Sequence, residues 1–371
     1  MIPVSRPHIA EADIHAVTDA LQKGFVSGDA PIVSQFEEEF AFAVNRRHGI
    51  AVSNGSIALD LSLHALDLED GDEVIIPSFT IASCLFAVLR TKAKPVFADV
   101  DPVTWNLSPE SLSEVISPRT RALIAVHTYG LPIDMAPVER LCDQAGITII
   151  EDAAEAHTVR YNEQVCGSFG HASTFSFYAN KAITCGEGGM IVTDDDSLAS
   201  RLRGLRNLSF LPTPSPRFVH HEIGWNARLS AIQAALGKSQ LRRMDEVTTE
   251  KRRIGLAYQS MFANRPDCQM QPESTPYSKN KYWVVGVVLD DHFNTREVAA
   301  RLRSHDVDSR PFFHPLHRQP LLNSYSLSEQ PVLSVSERLG AQGLYLPSFV
   351  GLTDAEVSQC AEALISVLDE Y

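Results

Sequence analysis

Ser173-Thr-Phe-Ser-Phe-Tyr-Ala-Asn-Lys-Ala-Ile-Thr-Cys-Gly-Glu-Gly-Gly189 is an apolar strand, then a polar turn with one lysine, then a glycine-rich stretch. The strand candidate is Ser173 to Phe177. A lysine held at the end of a buried strand can lose its proton and act as an amine nucleophile toward an aldehyde or ketone. Most lysines are solvated surface charges. The position of Lys181 between a strand and a Gly-Glu-Gly-Gly turn marks it instead as the candidate catalytic residue.

Outward from this run, short β-rich stretches alternate with helical patterns from about residue 50 to 195. The strand candidates are Glu73 to Ile76, Pro95 to Asp99, Ala122 to His127, Ile147 to Asp152, Ser173 to Phe177 and Gly189 to Thr193. Most are continuous apolar runs, as expected for strands covered on both faces. Ser108-Pro-Glu110 opens a helix with a capping serine and proline at the first helical position. Asp134 to Ala145 reads as another helix. The alternation predicts an α/β chain whose mainly parallel sheet lies between helices.

Leu229 to Leu241 is a further apolar-faced helix and leads into the charged stretch Arg242 to Arg253. Beyond it the pattern changes: Lys281 to Asp290 is strand-like, Thr295 to His305 helical, and Asp354 to Leu368 a terminal helix. The reading is a large domain over residues 1–245, N-terminal arm included, and a smaller C-terminal α+β domain over 246–371. Phe210 to Phe218, rich in proline, reads as a mobile loop and not a linker.

The chain has 371 residues, enough for two such domains. A formal net charge of −14 argues against a nucleic-acid partner, which needs a basic face. Six scattered cysteines without a CxxC pair suit reduced thiols in a cytoplasmic protein, not a disulfide framework or a metal site. No apolar run approaches the roughly 18 residues of a membrane span, and the N-terminus lacks a signal-peptide core.

The chemistry-bearing residues cluster around the strand ends. Ile147-Thr-Ile-Ile-Glu-Asp152 ends in a carboxylate. A Schiff-base lysine paired with an aspartate on a pyridinium nitrogen is the minimal apparatus for pyridoxal 5'-phosphate. An ionised Asp152 would keep that nitrogen protonated, and Glu155 is placed to contact the phenolic oxygen. Val52-Ser-Asn-Gly-Ser56 precedes an apolar-faced helix whose free backbone N–H groups suit a phosphate. A simple helix cap is an equal reading of that turn. Ser176, five residues before Lys181, adds weight to the phosphate. Glu151 reads as ordinary strand-end polarity, and His157 stays open. Gly186-Glu-Gly-Gly189 has a conformational role, letting the backbone turn under the cofactor. Gly224-Trp-Asn-Ala-Arg228 could reach an anion, although a loop and helix cap is the stronger reading.

From Ser53 through Leu241 the sequence resembles the sugar aminotransferases of the aspartate-aminotransferase superfamily, PLP fold type I, and among them the GDP-perosamine synthases. The matching pieces are SNGS, GDEVIIPSFT, PVFADVDPVTWNLSPE, ISPRTRALIAVHTYGLPIDM, IIEDAAEAH, GSFGHASTFSFYANK, GEGGMIVTDD and GWNARLSAIQAALGKSQL, and the later RPFFHPLHRQP resembles the substrate segment. The resemblance implies a seven-stranded sheet, a Schiff base and proton shuttle at Lys181, and a pyridinium contact at Asp152. It implies a phenolic-oxygen contact at Glu155 and a phosphate site from Gly55, Ser56 and Ser176. Asn226 would reach that phosphate from the other subunit of a homodimer with shared active sites, and His314 would contact the substrate.

Three positions depart from the family pattern. Ile81 stands where an aromatic residue usually stacks on the pyridine, Thr158 replaces a glycine, and Ala227 replaces an aromatic. A related branch of dehydratases carries histidine at the active lysine, so Lys181 argues for transamination. The expected activity moves an amino group from L-glutamate to a nucleotide-linked 4-keto-6-deoxy sugar, GDP-4-keto-6-deoxy-mannose, giving GDP-perosamine for surface polysaccharide. The alternatives are a UDP- or dTDP-linked keto sugar, or a non-catalytic PLP-binding regulatory protein.

Overall fold

Two helices that the sequence reading does not anticipate open the chain, α1 (Glu11–Gln22) and α2 (Pro31–Ala43). The structure is a computed structural model and describes residues 1–210, 218–325, 327 and 331–371. The helix α2 starts with proline at its first position and buries Phe36 and Phe40, four residues apart on one face. Next come β1 (His48–Val52), α3 (Gly55–His64), β2 (Glu73–Pro77), α4 (Ala82–Leu89), β3 (Lys94–Ala98) and α5 (Pro109–Val115). They are followed by β4 (Thr120–Val126), α6 (Met135–Ala145), β5 (Thr148–Asp152), β6 (Ala172–Ser176), β7 (Gly189–Thr193), α7 (Asp196–Leu205) and α8 (Ala231–Leu241). The proline-rich segment read as a mobile loop falls, over 211–217, outside the described residues.

The seven strands form one sheet in the order β1-β7-β6-β5-β4-β2-β3. Only β7 runs against its neighbours; the other pairings are parallel, so the sheet is mixed but mostly parallel. Alternation along each strand fills both faces. On β2, Val74 and Ile76 join the α3, α4 and α7 side, while Ile75 joins the α5 and α6 side. Ile124 and Leu123 of β4 divide in the same way. Burying such a side chain fully contributes about 1.5–3 kcal/mol, which is why these strands carry unbroken apolar runs.

After α8 come α9 (Met244–Met261), β8 (Cys268–Gln269), β9 (Val285–Leu289), α10 (Thr295–Ser304), β10 (Arg310–Pro311), α11 (Ser334–Gln342), β11 (Gly343–Leu346) and α12 (Asp354–Asp369). The four strands make an antiparallel sheet, β8-β9-β11-β10, over a second core that includes Ile254, Tyr258, Val287, Leu302 and Leu364. The first residues of the chain also pack there, with Ile2 bridging Val307 and the Val4 carbonyl accepting from Ser348 N–H at 3.2 Å. A smaller cluster of Phe79, Trp105, Tyr129, Val284 and Phe312 joins the two cores. Among the described residues no helix is long and apolar enough to cross a membrane.

Candidate active site

The strands β5 and β6 are parallel neighbours, with Asp152 opposite Thr174, so their carboxyl ends open on the same edge of the sheet. Asp152 closes β5. Beyond Ser176, the end of β6, the chain loops out, presents Lys181 and returns as β7. Phe177 N–H donates to the Gly188 carbonyl (2.8 Å) and Cys185 N–H to the Phe177 carbonyl (2.9 Å), which closes the loop at its base. Two side chains hold its flanks. The indole N–H of Trp283 donates to the Asn180 carbonyl at 2.9 Å, and Ile183 N–H donates to Nδ1 of His157 at 3.3 Å.

Within this loop Lys181 is a nearly dry amine. Its side chain is 10% exposed, and its Nζ lies 3.6 Å from Glu155 Oε1 and 3.6 Å from the centre of the Trp283 ring. Burial pushes its pKa down, while Glu155 and Asp152 pull it back up. Burial likewise pushes Glu155 up to about 7, against the pull of Lys181 and of the Tyr129 N–H that it accepts at 3.0 Å. Asp152 is raised by burial and relieved chiefly by Ala154 N–H at 3.1 Å. His157 is pushed down to about 3 by burial and then by Lys181, so it is neutral. Its Nδ1 accepts the hydrogen bond from Ile183 N–H, which leaves the ring hydrogen on Nε2. Among the described residues that atom is buried with no hydrogen-bond partner.

The end of β1 aligns with this edge, because Val52 pairs with Gly189 and Gly189 pairs with Ser176. Three residues later, at Gly55, α3 begins. Asn54 Oδ1 caps Ile57 N–H at 2.9 Å, and among the described residues the amides of Gly55 and Ser56 have no protein acceptor. A Cβ on Gly55 would lie 2.8 Å from the Ser176 Cβ, so only glycine lets the helix start meet the serine. The result is a cradle of two free amides at a positive helix end, beside the Ser176 hydroxyl.

These residues fit pyridoxal phosphate by their donor chemistry. Asp152 is a buried carboxylate short of donors, which suits a pyridinium N–H. Glu155, near 7, can share a proton with a phenolic oxygen, the cradle offers donors to a phosphate, and Lys181 offers an amine to a carbonyl.

The family model for the DegT/DnrJ/EryC1/StrS aminotransferases matches residues 7–365. The chain belongs to that family. It is 35% identical over 366 residues to the GDP-perosamine synthase of Vibrio cholerae, covering 98% of each protein. It is 36% identical over 369 residues to that of Caulobacter vibrioides, covering 99% of this chain and 98% of the other. Among solved structures, the aminotransferase TlmJ of Streptoalloteichus hindustanus superposes with a TM-score of 0.92 at 28% identity, over 100% of this chain and 99% of that one. The protein is therefore an aminotransferase of PLP fold type I.

Lys181, Asp152, Glu155, Gly55, Ser56 and Ser176 all lie at one edge of this aminotransferase. Asn226 is exposed and its backbone bridges Asn207; the next carbonyl, Ala227, accepts from Ser53 N–H at 2.8 Å. His314 stands apart. It is exposed, its Nε2 is 3.3 Å from the Arg318 carbonyl, and it lines a groove with Arg296, Arg318 and Glu337. The neighbouring His317 is buried instead between the Ser78 hydroxyl (2.6 Å) and Glu337 (3.0 Å).

Glu151 is more than strand-end polarity. It is fully buried and accepts from Gly167 N–H (2.6 Å), Phe169 N–H (2.9 Å), Ser173 Oγ (2.7 Å) and His127 Nε2 (2.8 Å). Nδ1 of His127 accepts from Ile133 N–H at 3.1 Å, so both ring nitrogens are engaged. His127, Glu151 and Cys166 lie close enough to share a metal, yet this bonding makes the group a structural lock. Trp283, Tyr129 and Cys84, whose thiol is 3.6 Å from Asp152 Oδ2, join the site without a signal in the sequence. They come from distant segments, and no local pattern signals them.

Proposed function

We propose that the chain is a pyridoxal phosphate-dependent aminotransferase that moves an amino group from L-glutamate to C4 of GDP-4-keto-6-deoxy-mannose, giving GDP-perosamine. The observation that carries the chemistry is the buried Lys181 between Glu155 and the Trp283 face, at the edge shared with Asp152 and the Gly55 cradle. The two relatives named as GDP-perosamine synthases, matched over nearly their whole length, support the sugar.

Bound pyridoxal phosphate would supply an amine-exchanging carbonyl and an electron-withdrawing ring. The chain's residues supply the rest. Asp152 would hold the proton on the pyridine nitrogen, which would keep the ring withdrawing. Glu155 would hold the ring through its phenolic oxygen, and the amides of Gly55 and Ser56 with the Ser176 hydroxyl would hold the phosphate. Nζ of Lys181, with its ammonium disfavoured by burial, would take the proton from the donor's Cα and deliver it to the cofactor's C4′ carbon, and would run that transfer in reverse with the sugar. His314 contacts the nucleotide sugar. The protein works as a homodimer, with Asn226 serving the phosphate site of the neighbouring subunit.

The test is purified protein with glutamate and a panel of GDP-, UDP- and dTDP-linked 4-keto sugars, read by mass spectrometry of the products. Amination of the GDP sugar alone is expected. Preference for a UDP or dTDP sugar would move the assignment to that nucleotide. Mixing inactive Lys181→Ala and Asn226→Ala parents tests the shared site: activity returns in exchanged heterodimers, and its absence there removes Asn226 from the neighbour's site.

A further inference from the structure

We propose that Trp283 is a positioning residue that seats the Lys181 ammonium on its indole face during amino transfer, an inference that rests on the reading above. The ring centre lies 3.6 Å from Nζ, inside the distance at which a cation is drawn to an aromatic face. That attraction grows as water is removed, and the lysine side chain is only 10% exposed.

The indole is fixed from both ends. Its N–H donates to the Asn180 carbonyl at 2.9 Å, one residue before the lysine. Its backbone N–H donates to the Tyr129 carbonyl at 3.0 Å, and Lys281 N–H donates to the Gly130 carbonyl at 3.0 Å. Gly130 has φ 97°, and a Cβ there would sit 2.5 Å from the Trp283 nitrogen. The tryptophan therefore reaches the lysine loop by clipping onto the turn that also gives Tyr129 N–H to Glu155.

The face has a role that Glu155 cannot fill. Glu155, 3.6 Å from Nζ and raised to about 7, competes with the amine for the proton. An indole face cannot take a proton, so it favours the ammonium without neutralising it. The other groups around the amine are Asp152, which favours its charge, and the neutral His157, while the buried Tyr129 phenol is pushed up by burial and then by the charge of Glu155. Lys251 of α9 and Lys281 line a small cavity together with Trp283 and Glu155.

The decisive experiment places tryptophans with one to four ring fluorines at position 283, which drains the ring's negative face at nearly constant volume. Fluorination makes the indole N–H more acidic, so the Asn180 tether is not weakened. Lys181 is acylated with an amine-directed reagent in the cofactor-free protein across pH, and its modification is read by mass spectrometry. The midpoint should fall stepwise, by up to about one pH unit at full fluorination. In the loaded enzyme kcat with glutamate should fall while KM holds. An unchanged midpoint across the series overturns the seat. A wild-type protein that exchanges nothing with glutamate overturns the underlying function instead, and the labelling series still decides the seat.

Discussion

Glu151 and Asp152 are consecutive carboxylates at the end of β5, and they face opposite sides of the sheet. Both are buried, at 0% and 3% exposure. Glu151 is saturated: four donors from His127, Gly167, Phe169 and Ser173 cover both of its oxygens. Asp152 has one good donor, Ala154 N–H, with the Thr174 hydroxyl at 3.5 Å and the Cys84 thiol at 3.6 Å. The same chemistry at the same depth thus serves two ends. A buried charge with every lone pair occupied holds the fold together, and one left short of donors waits for a cation.

Removing the amine beside the second carboxylate should have the largest effect. Lys181→Ala should lower turnover at least about 10⁴-fold, because nucleophile and proton carrier vanish together. Steady-state assay with matched circular dichroism checks it, and retained activity would remove Lys181 from the mechanism. Substitution at the two carboxylates then separates their roles. Asp152→Asn should leave the melting temperature within a few degrees, yet slow the glutamate half-reaction by about 10²–10³-fold. Glu151→Gln should do the reverse. Its amide would point N–H at existing donors, costing about 3 kcal/mol of stability, while the folded fraction keeps its half-reaction rate within a few-fold. Denaturant titration and stopped-flow absorbance measure both, and equal effects in the two variants would erase the distinction.

The sequence made one of these carboxylates legible and not the other. Asp152 stands out because it ends an apolar strand just upstream of the lysine run, and most of the six strand candidates stand out as continuous apolar runs in the same way. The lock around Glu151 is invisible because its donors include the backbone amides of Gly167 and Phe169, and any residue but proline carries an amide. The short β1, His48–Val52, is absent from the strands expected from the sequence, since its antiparallel partner is the distant β7, Val52 pairing with Gly189. Trp283 is equally silent: its meaning arises when the chain brings it to Asn180, 103 residues away.

A smaller effect belongs to the segment from Arg310 to Arg318, where the contrast between tied and free groups recurs. His317 is buried between Ser78 and Glu337, whereas His314 is exposed over a groove. His314→Ala should leave the glutamate half-reaction nearly unchanged and lower kcat/KM for the keto sugar about tenfold, roughly 1.4 kcal/mol of transition-state binding. The two half-reactions are assayed separately. Equal losses in both would place His314 at the cofactor, and no loss in either would take it out of the substrate site.

The smallest effect lies in the turn that leads from Asp152 back beneath the lysine loop, at Thr158. Its φ is 61°, in the left-handed region that a β-branched residue rarely enters, and its buried hydroxyl has no partner among the described residues. Strain of this kind costs on the order of 1–3 kcal/mol, and an unsatisfied buried hydroxyl costs about as much. Glycine adopts this φ freely and has no hydroxyl, but it gives up about 0.5–1 kcal/mol through the freedom of the unfolded chain. Thr158→Gly should therefore gain about 1 kcal/mol, a rise of roughly 2 °C in Tm, with the glutamate half-reaction unchanged within twofold. Thr158→Ala divides the two causes, since it removes the hydroxyl and keeps a side chain at positive φ. Calorimetry of both variants checks this: alanine should recover only part of the glycine gain. A glycine variant that melts below the wild type would show that the threonine methyl packs well enough to outweigh its backbone strain.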